Sequence, residues 1–243
     1  RLYDFMRVFL CGGGSGEKTI LANKKLDEVI NHNRPILYVP LAMDATKHPY
    51  DECYEWVKKE LSNVDVPSIE MVKSFRELSE KKLDDYSVIF IGGGNTYSLL
   101  KGLKESASLE KIRDFINNDG VVFGGSAGAI IFGKDIDSCG CMDNNDVELK
   151  DTSGLNILNG ISLFCHYTNK KSKLSEEENK IRMDGFTNYL LDYSLNRETV
   201  IGLPEEDTIF IDNDKIEIIG TKPYYKFTNG NVEEKNINFT RQK

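Results

Sequence analysis

Short apolar runs alternate along this chain with stretches whose apolar residues recur every three or four positions. Arg7–Cys11, Ile36–Pro40, Tyr86–Ile91, Val121–Gly124, Leu163–His166 and Thr199–Leu203 read as strands. They are almost continuously apolar rather than alternating, as expected of strands covered on both faces. Between them, Ile20, Leu21, Leu26, Val29 and Ile30 form one helical set, and Cys53, Trp56, Val57 and Leu61 another. A long charged helix is predicted within Lys171–Leu191, starting at Ser175, because Ser175 and Glu178 make the S-x-x-E capping pattern. After Pro204 the pattern changes. Thr208–Ile211, Asn213–Asp214 and Lys215–Ile219 read as a hairpin, and Thr228-Asn229-Gly230 adds a further turn. The expectation is an α/β fold: a mostly parallel sheet with helices on both faces and a small C-terminal antiparallel hairpin on its edge.

Three of the predicted strands end in glycine-rich turns: Gly12-Gly13-Gly14-Ser15-Gly16, Gly92-Gly93-Gly94-Asn95-Thr96 and Gly124-Gly125-Ser126-Ala127-Gly128. Ligands bind at such strand C-termini in open α/β sheets. The third turn, between Val121-Val122-Phe123 and Ala129-Ile130-Ile131, reads as a nucleophile elbow. Gly124 and Gly128 occupy the G-x-S-x-G positions where side chains would collide with a sharply turned serine, and Ser126 is presented at the sheet edge. The second turn frees backbone N–H groups to approach a substrate oxygen, as an oxyanion hole requires. The first resembles a phosphate loop, with Lys18-Thr19 behind Gly16, but Glu17 and the short glycine spacing break the G-x-x-x-x-G-K-T pattern. It is read as a tight strand-to-helix turn.

Composition narrows the classes. The 243 residues, 40% of them hydrophobic, suffice for one core, and residues 6–243 are expected to form one domain. Residues 1–5 precede a natural-looking first strand and read as upstream or added sequence. The net charge of −8 argues against a nucleic-acid or anionic-membrane partner. No apolar segment approaches the roughly 20 residues of a spanning helix. Five scattered cysteines suit a reducing cytoplasm. Cys139-Gly140-Cys141 and Cys165-His166 lack a second pair at zinc-finger spacing, so no metal and no cofactor are expected.

A serine hydroxyl needs a base within hydrogen-bonding reach. The chain has three histidines. His32 lies in a solvated helix exit, His48 follows the second strand, and His166 ends an apolar run downstream of Ser126. His166 is the expected base, with His48 as the alternative. Acids crowd the segment between serine and histidine (Asp135, Asp137, Asp143, Asp146, Glu148, Asp151), and Glu205, Glu206 and Asp207 follow Pro204. Spacing alone does not choose among them.

These residues resemble the peptidase E and cyanophycinase family of serine peptidases. Phe90–Thr96 with Leu99-Leu100 is similar to that family's G-G-G-N-T turn, and Gly124–Ala129 to its nucleophile turn. His166-Tyr167-Thr168-Asn169 is similar to its H-F-T-N, and Ile201–Glu205 to its I-G-L-P-E. The resemblance spans most of residues 6–220. It implies a fold like class I glutamine amidotransferases, with Ser126 as nucleophile, His166 as base, and the N–H groups of Gly93 and Ala127 as oxyanion hole. It further implies Asp146, in an N-D pair with Asn145, as the third member, with Glu205 in reserve. Aspartyl dipeptidases of the family carry an arginine after the catalytic histidine that receives the substrate's aspartate. Here Glu177 falls opposite it, with Lys180 and Arg182 a turn away, which puts an Asp-X preference in doubt.

The expected activity is hydrolysis of short peptides, of dipeptidase or exopeptidase type, through an acyl-enzyme, by a chain that is free to form homo-oligomers. An esterase or amidase using the same elbow, and a non-catalytic binding domain on the same scaffold, are the alternatives.

Overall fold

A computed structural model describes residues 6–237; residues 1–5, read above as upstream sequence, lie outside it. Eleven strands are arranged in two sheets among the described residues. The larger has seven strands in the order β3-β2-β4-β5-β1-β8-β9. Five of these, β1 (Arg7–Cys11), β2 (Ile36–Val39), β3 (Ile69–Met71), β4 (Val88–Ile91) and β5 (Val121–Gly125), are parallel to one another. The expected hairpin is present as β8 (Thr208–Asp212) and β9 (Lys215–Ile219), and it continues the sheet antiparallel to β1.

Alternate residues of each buried strand serve two cores. Val8 and Leu10 of β1 face α4 (Thr96–Glu105) and α5 (Ser108–Asn117), while Phe9 and Cys11 face α1 (Ile20–Val29) and α2 (Tyr50–Glu60). That division is the structural reason for the unbroken apolar runs in the sequence.

One expectation is corrected. Leu163–His166 and Thr199–Leu203 do not join the large sheet. They form β6 (Ser162–Phe164) and β7 (Val200–Gly202), parallel to each other, in a separate four-stranded sheet of order β11-β10-β7-β6. Its other strands, β10 (Tyr224–Thr228) and β11 (Asn231–Lys235), form a second C-terminal hairpin. The long helix α7 (Glu176–Asn196) packs Phe186, Leu190 and Tyr193 onto this sheet, with Phe164 and Phe227 fully buried between. Its start is as expected. Ser175 accepts from Glu178 N, and the Glu178 carboxylate accepts from Ser175 N in a complete capping box.

The three glycine turns follow β1, β4 and β5, and these strands are neighbours in the order β4-β5-β1. The turns therefore meet at one end of one sheet. The four residues Ala127–Ile130 after β5 form a single helical turn, α6.

Candidate active site

Ser126 has φ 53° and ψ −116°, a backbone conformation that costs a non-glycine residue on the order of 1–3 kcal/mol. The two flanking glycines make it attainable. A Cβ on Gly124 would sit 2.1 Å from Gly128 O, and one on Gly128 would sit 2.1 Å from Ile91 O. The elbow is then pinned from the next strand: Ser126 N donates to Cys11 O at 3.1 Å, and Ser126 O accepts from Ala129 N and Ile130 N. Cys165 Sγ donates toward Ser126 O at 3.7 Å from beneath.

His166 is brought to this serine from the second sheet, two residues after β6. Its backbone also takes a positive φ of 58°, and its N–H donates to Gly12 O at 2.9 Å. Nε2 lies 2.8 Å from Ser126 Oγ, and Nδ1 lies 2.9 Å from Glu205 Oε1. Glu205 Oε2 is in turn paired with Lys18 Nζ. His166 first, and Lys18 after it, hold the Glu205 carboxyl down at about 2, against the opposing effect of burial. The stability this carboxylate contributes is complete above its ordinary value near 4.5 and is lost as pH falls through about 2.

The expectation of Asp146 as the third member does not fit this geometry. Asp146 is exposed, and the carboxylate on His166 Nδ1 is that of Glu205. The loop carrying Asp146 is bound instead to the start of α4. Asp143 Oδ2 accepts from Thr96 N at 2.9 Å and Thr96 Oγ1 at 2.7 Å, and Asn95 Nδ2 donates to Asn144 O. Glu205, by contrast, lies on the segment leading into β8. The antiparallel pairing of β8 with β1 sets that segment against the first glycine turn, where Gly14 N donates to Glu205 O and Gly12 N to Asp207 O.

That first turn has a role in the site that the sequence reading missed. A Cβ on Gly13, whose φ is +106°, would lie 2.3 Å from His166 Cε1, so the imidazole rests directly on the Gly13 backbone. Lys18, noted above only as part of an imperfect phosphate loop, is the counter-ion of Glu205. Asn169, the last residue of the H-Y-T-N run, accepts from Glu205 N through Oδ1 at 2.8 Å and donates to the Glu206 carboxylate. A glycine-rich turn followed by lysine was the visible signal for the first two. Its meaning depended on which segment β8 would bring alongside.

Gly93 lies next to the serine: a Cβ there would be 3.2 Å from Ser126 Cβ and 3.6 Å from Oγ. Among the described residues, neither Gly93 N–H nor Ala127 N–H is taken by a backbone carbonyl. His48, the alternative base, lines the same cavity as Ser126 and His166, but the hydrogen bond to Oγ is made by His166. Glu177 borders a different groove, with Thr168, Asn169 and Lys180. Arg182 donates to Asn169 O at 3.0 Å and stacks on Phe186.

The family model for peptidase family S51 matches residues 8–219. The chain belongs to peptidase family S51. Among proteins similar to it, a Peptidase E of Haemophilus influenzae (strain ATCC 51907 / DSM 11121 / KW20 / Rd) is 30% identical over 198 residues, covering 79% of this chain and 83% of the relative. A Peptidase E of Nostoc sp. (strain PCC 7120) is 29% identical, covering 83% and 78%. The fold is shared with a crystal structure from Listeria monocytogenes EGD-e of a protein provisionally named peptidase E. That likeness has a TM-score of 0.65 and 22% identity, over 90% of this chain and 100% of the other. A peptidase from an acI-B1 Actinobacterium superposes with a TM-score of 0.61 at 16% identity, over 96% and 95% of the two chains. As an S51 member the chain is a serine peptidase, a hydrolase acting on peptide bonds. No helix among the described residues is long and apolar enough to cross a membrane.

Proposed function

We propose that this S51 peptidase cleaves short peptides through an acyl-enzyme on Ser126, with His166 as general base and Glu205 as the acid that orients it. The observation that carries this reading is the unbroken chain Ser126 Oγ, His166 Nε2, His166 Nδ1, Glu205 at 2.8 and 2.9 Å, with two unengaged N–H groups beside the serine. Glu205, ionised throughout the neutral range, accepts from Nδ1–H and so leaves Nε2 unprotonated toward the serine.

Ser126 Oγ attacks the scissile carbonyl carbon while its proton passes to Nε2. The oxygen becomes an oxyanion held by Gly93 and Ala127 N–H. When the carbonyl re-forms, the C–N bond breaks and Nε2–H protonates the departing amine, leaving an ester on Ser126. A water then gives its proton to Nε2 and attacks the ester, and the Oγ–C bond breaks as Nε2 returns the proton to the serine. Because the helix after the elbow is one turn long, the oxyanion is held by N–H groups at close range rather than by a long helix dipole.

Residues 6–243 are read as one catalytic unit. The five cysteines, all unpaired, support a reducing compartment, the cytoplasm. The test is release of amino acids from unblocked dipeptides and tripeptides by the wild type and Ser126→Ala. Activity is expected to fall by roughly six orders of magnitude in the variant. Ester hydrolysis without peptide hydrolysis, or activity retained above about one percent in Ser126→Ala, would overturn the reading.

A further inference from the structure

Beside Ser126 and His166 opens a cavity of about 440 Å³, and one part of its wall is aromatic and apolar, with His48 and Glu52 also on the lining. Tyr38, Phe90 and Phe123 come from β2, β4 and β5, Trp56 and Cys53 from α2, and Met43 from the loop between β2 and α2. The rings form a continuous cluster. Phe90 stacks on Phe123 at 4.9 Å between centroids, Tyr38 meets Phe90 edge-on at 5.8 Å, and Trp56 lies 6.4 Å from both Tyr38 and Phe90. Gly92 keeps the passage open, since a Cβ there would already touch the Tyr38 ring at 3.3 Å. None of the residues lining the cavity is a lysine or arginine, and its one carboxylate, Glu52, carries no ion pair among the described residues.

We infer that this cavity receives the side chain of the residue whose carbonyl Ser126 attacks, and that it selects an aromatic or large aliphatic one. The inference rests on the acyl-enzyme reading above. The cavity wall includes Gly93 and Ser126, so a carbonyl seated against Gly93 N–H places its own α-carbon at the opening. An aromatic side chain exchanges water for stacked rings there, and pockets of this kind discriminate by about 10- to 100-fold. An aspartate side chain finds no lysine or arginine in the walls, only the imidazoles of His48 and His166, and meets Glu52, so it is disfavoured by desolvation and by like charge.

The test uses diphenyl phosphonate analogues of phenylalanine, alanine, aspartate and lysine, which report acyl-side recognition by the rate at which they modify the nucleophile, without needing turnover. The phenylalanine analogue should label Ser126 at least about tenfold faster than alanine, and aspartate more slowly than alanine. Trp56→Ala should lower the phenylalanine-to-alanine ratio. Trp56 is 41% exposed, so its removal leaves the core intact. Labelling of Ser126 led by aspartate or lysine, or equal for all four, overturns the pocket assignment while leaving the nucleophile in place. Labelling by no analogue, or labelling that persists in Ser126→Ala, overturns the serine assignment and this inference with it.

Discussion

Two acidic segments of this molecule have similar composition and different work. Residues 143–151 carry Asp143, Asp146, Glu148 and Asp151, and residues 205–207 carry Glu205, Glu206 and Asp207. The first segment spends its best-placed carboxylate on the start of α4, where Asp143 accepts from both donors of the buried Thr96. The second is threaded past the first glycine turn, so that one carboxylate reaches the imidazole and another is buried outright. What separates them is strand pairing. Residues 205–207 run into β8, which lies on β1, so they share the sheet end where the three glycine turns meet. An acid becomes part of this site through the strand it leads into, and its closeness to the serine in sequence is no guide.

The sharpest way to break the comparison is to neutralise one acid from each segment. Glu205→Gln should lower kcat/KM by about 10³- to 10⁴-fold, because a carboxamide no longer stabilises the imidazolium or fixes the tautomer. Asp146→Asn should leave kcat/KM within about twofold, as for an exposed side chain away from the chemistry. Steady-state assays on one substrate decide it, and a larger loss from Asp146→Asn would reverse the assignment. The pH profile adds a further check. With the Glu205 carboxyl held down at about 2 by His166 and Lys18, this carboxylate should add no ionisation of its own to the acid limb of kcat/KM down to pH 4.

A smaller effect is expected from Asp143→Ala. It leaves Thr96 N and Oγ1 without their acceptor at the start of a buried helix, and should cost about 1–3 kcal/mol of unfolding free energy in urea titrations. Its effect on kcat/KM should be far below that of Glu205→Gln.

The mildest prediction concerns Asp207. Burial pushes its carboxyl up to about 7, against the pull of the Lys222 and Thr221 N–H groups, and Oδ2 has no partner among the described residues. A carboxyl whose folded value is raised favours the folded state least when ionised, so its contribution worsens as pH climbs from about 4 to about 7. Asp207→Asn should therefore stabilise the protein at pH 8 by on the order of 1 kcal/mol and by much less at pH 4. Thermal melts at the two pH values measure the difference, and equal shifts at both would show that Asp207 does not titrate in this window.

Much of this was legible before folding was known. Strand β1 falls on the expected residues, the elbow and its two glycines were readable because the collision they avoid is local, and Ser175 and Glu178 cap α7 as their spacing implied. Apolar runs report that a strand is buried but carry no mark of its neighbours, which is why β6 and β7 were assigned to the wrong sheet. Strand β3 escaped notice because it lies at an edge, with Ile69 and Met71 half-buried and Glu70 exposed. That Glu205 and not Asp146 lies on His166 Nδ1 was not legible for the related reason that this contact depends on β8 pairing with β1, which no local pattern reports.

The serine stands on the large sheet, the histidine follows β6 of the smaller one, and the glutamate lies on the segment that crosses from β7 to β8. The 2.8 Å contact between Ser126 and His166 is thus also a seam between two layers. On the proposed mechanism, catalytic competence measures how those layers are seated. A repacking around Phe164 or Phe227, deep in the smaller sheet and remote from any substrate, would be felt first as a slackened proton relay and only later as a loss of fold.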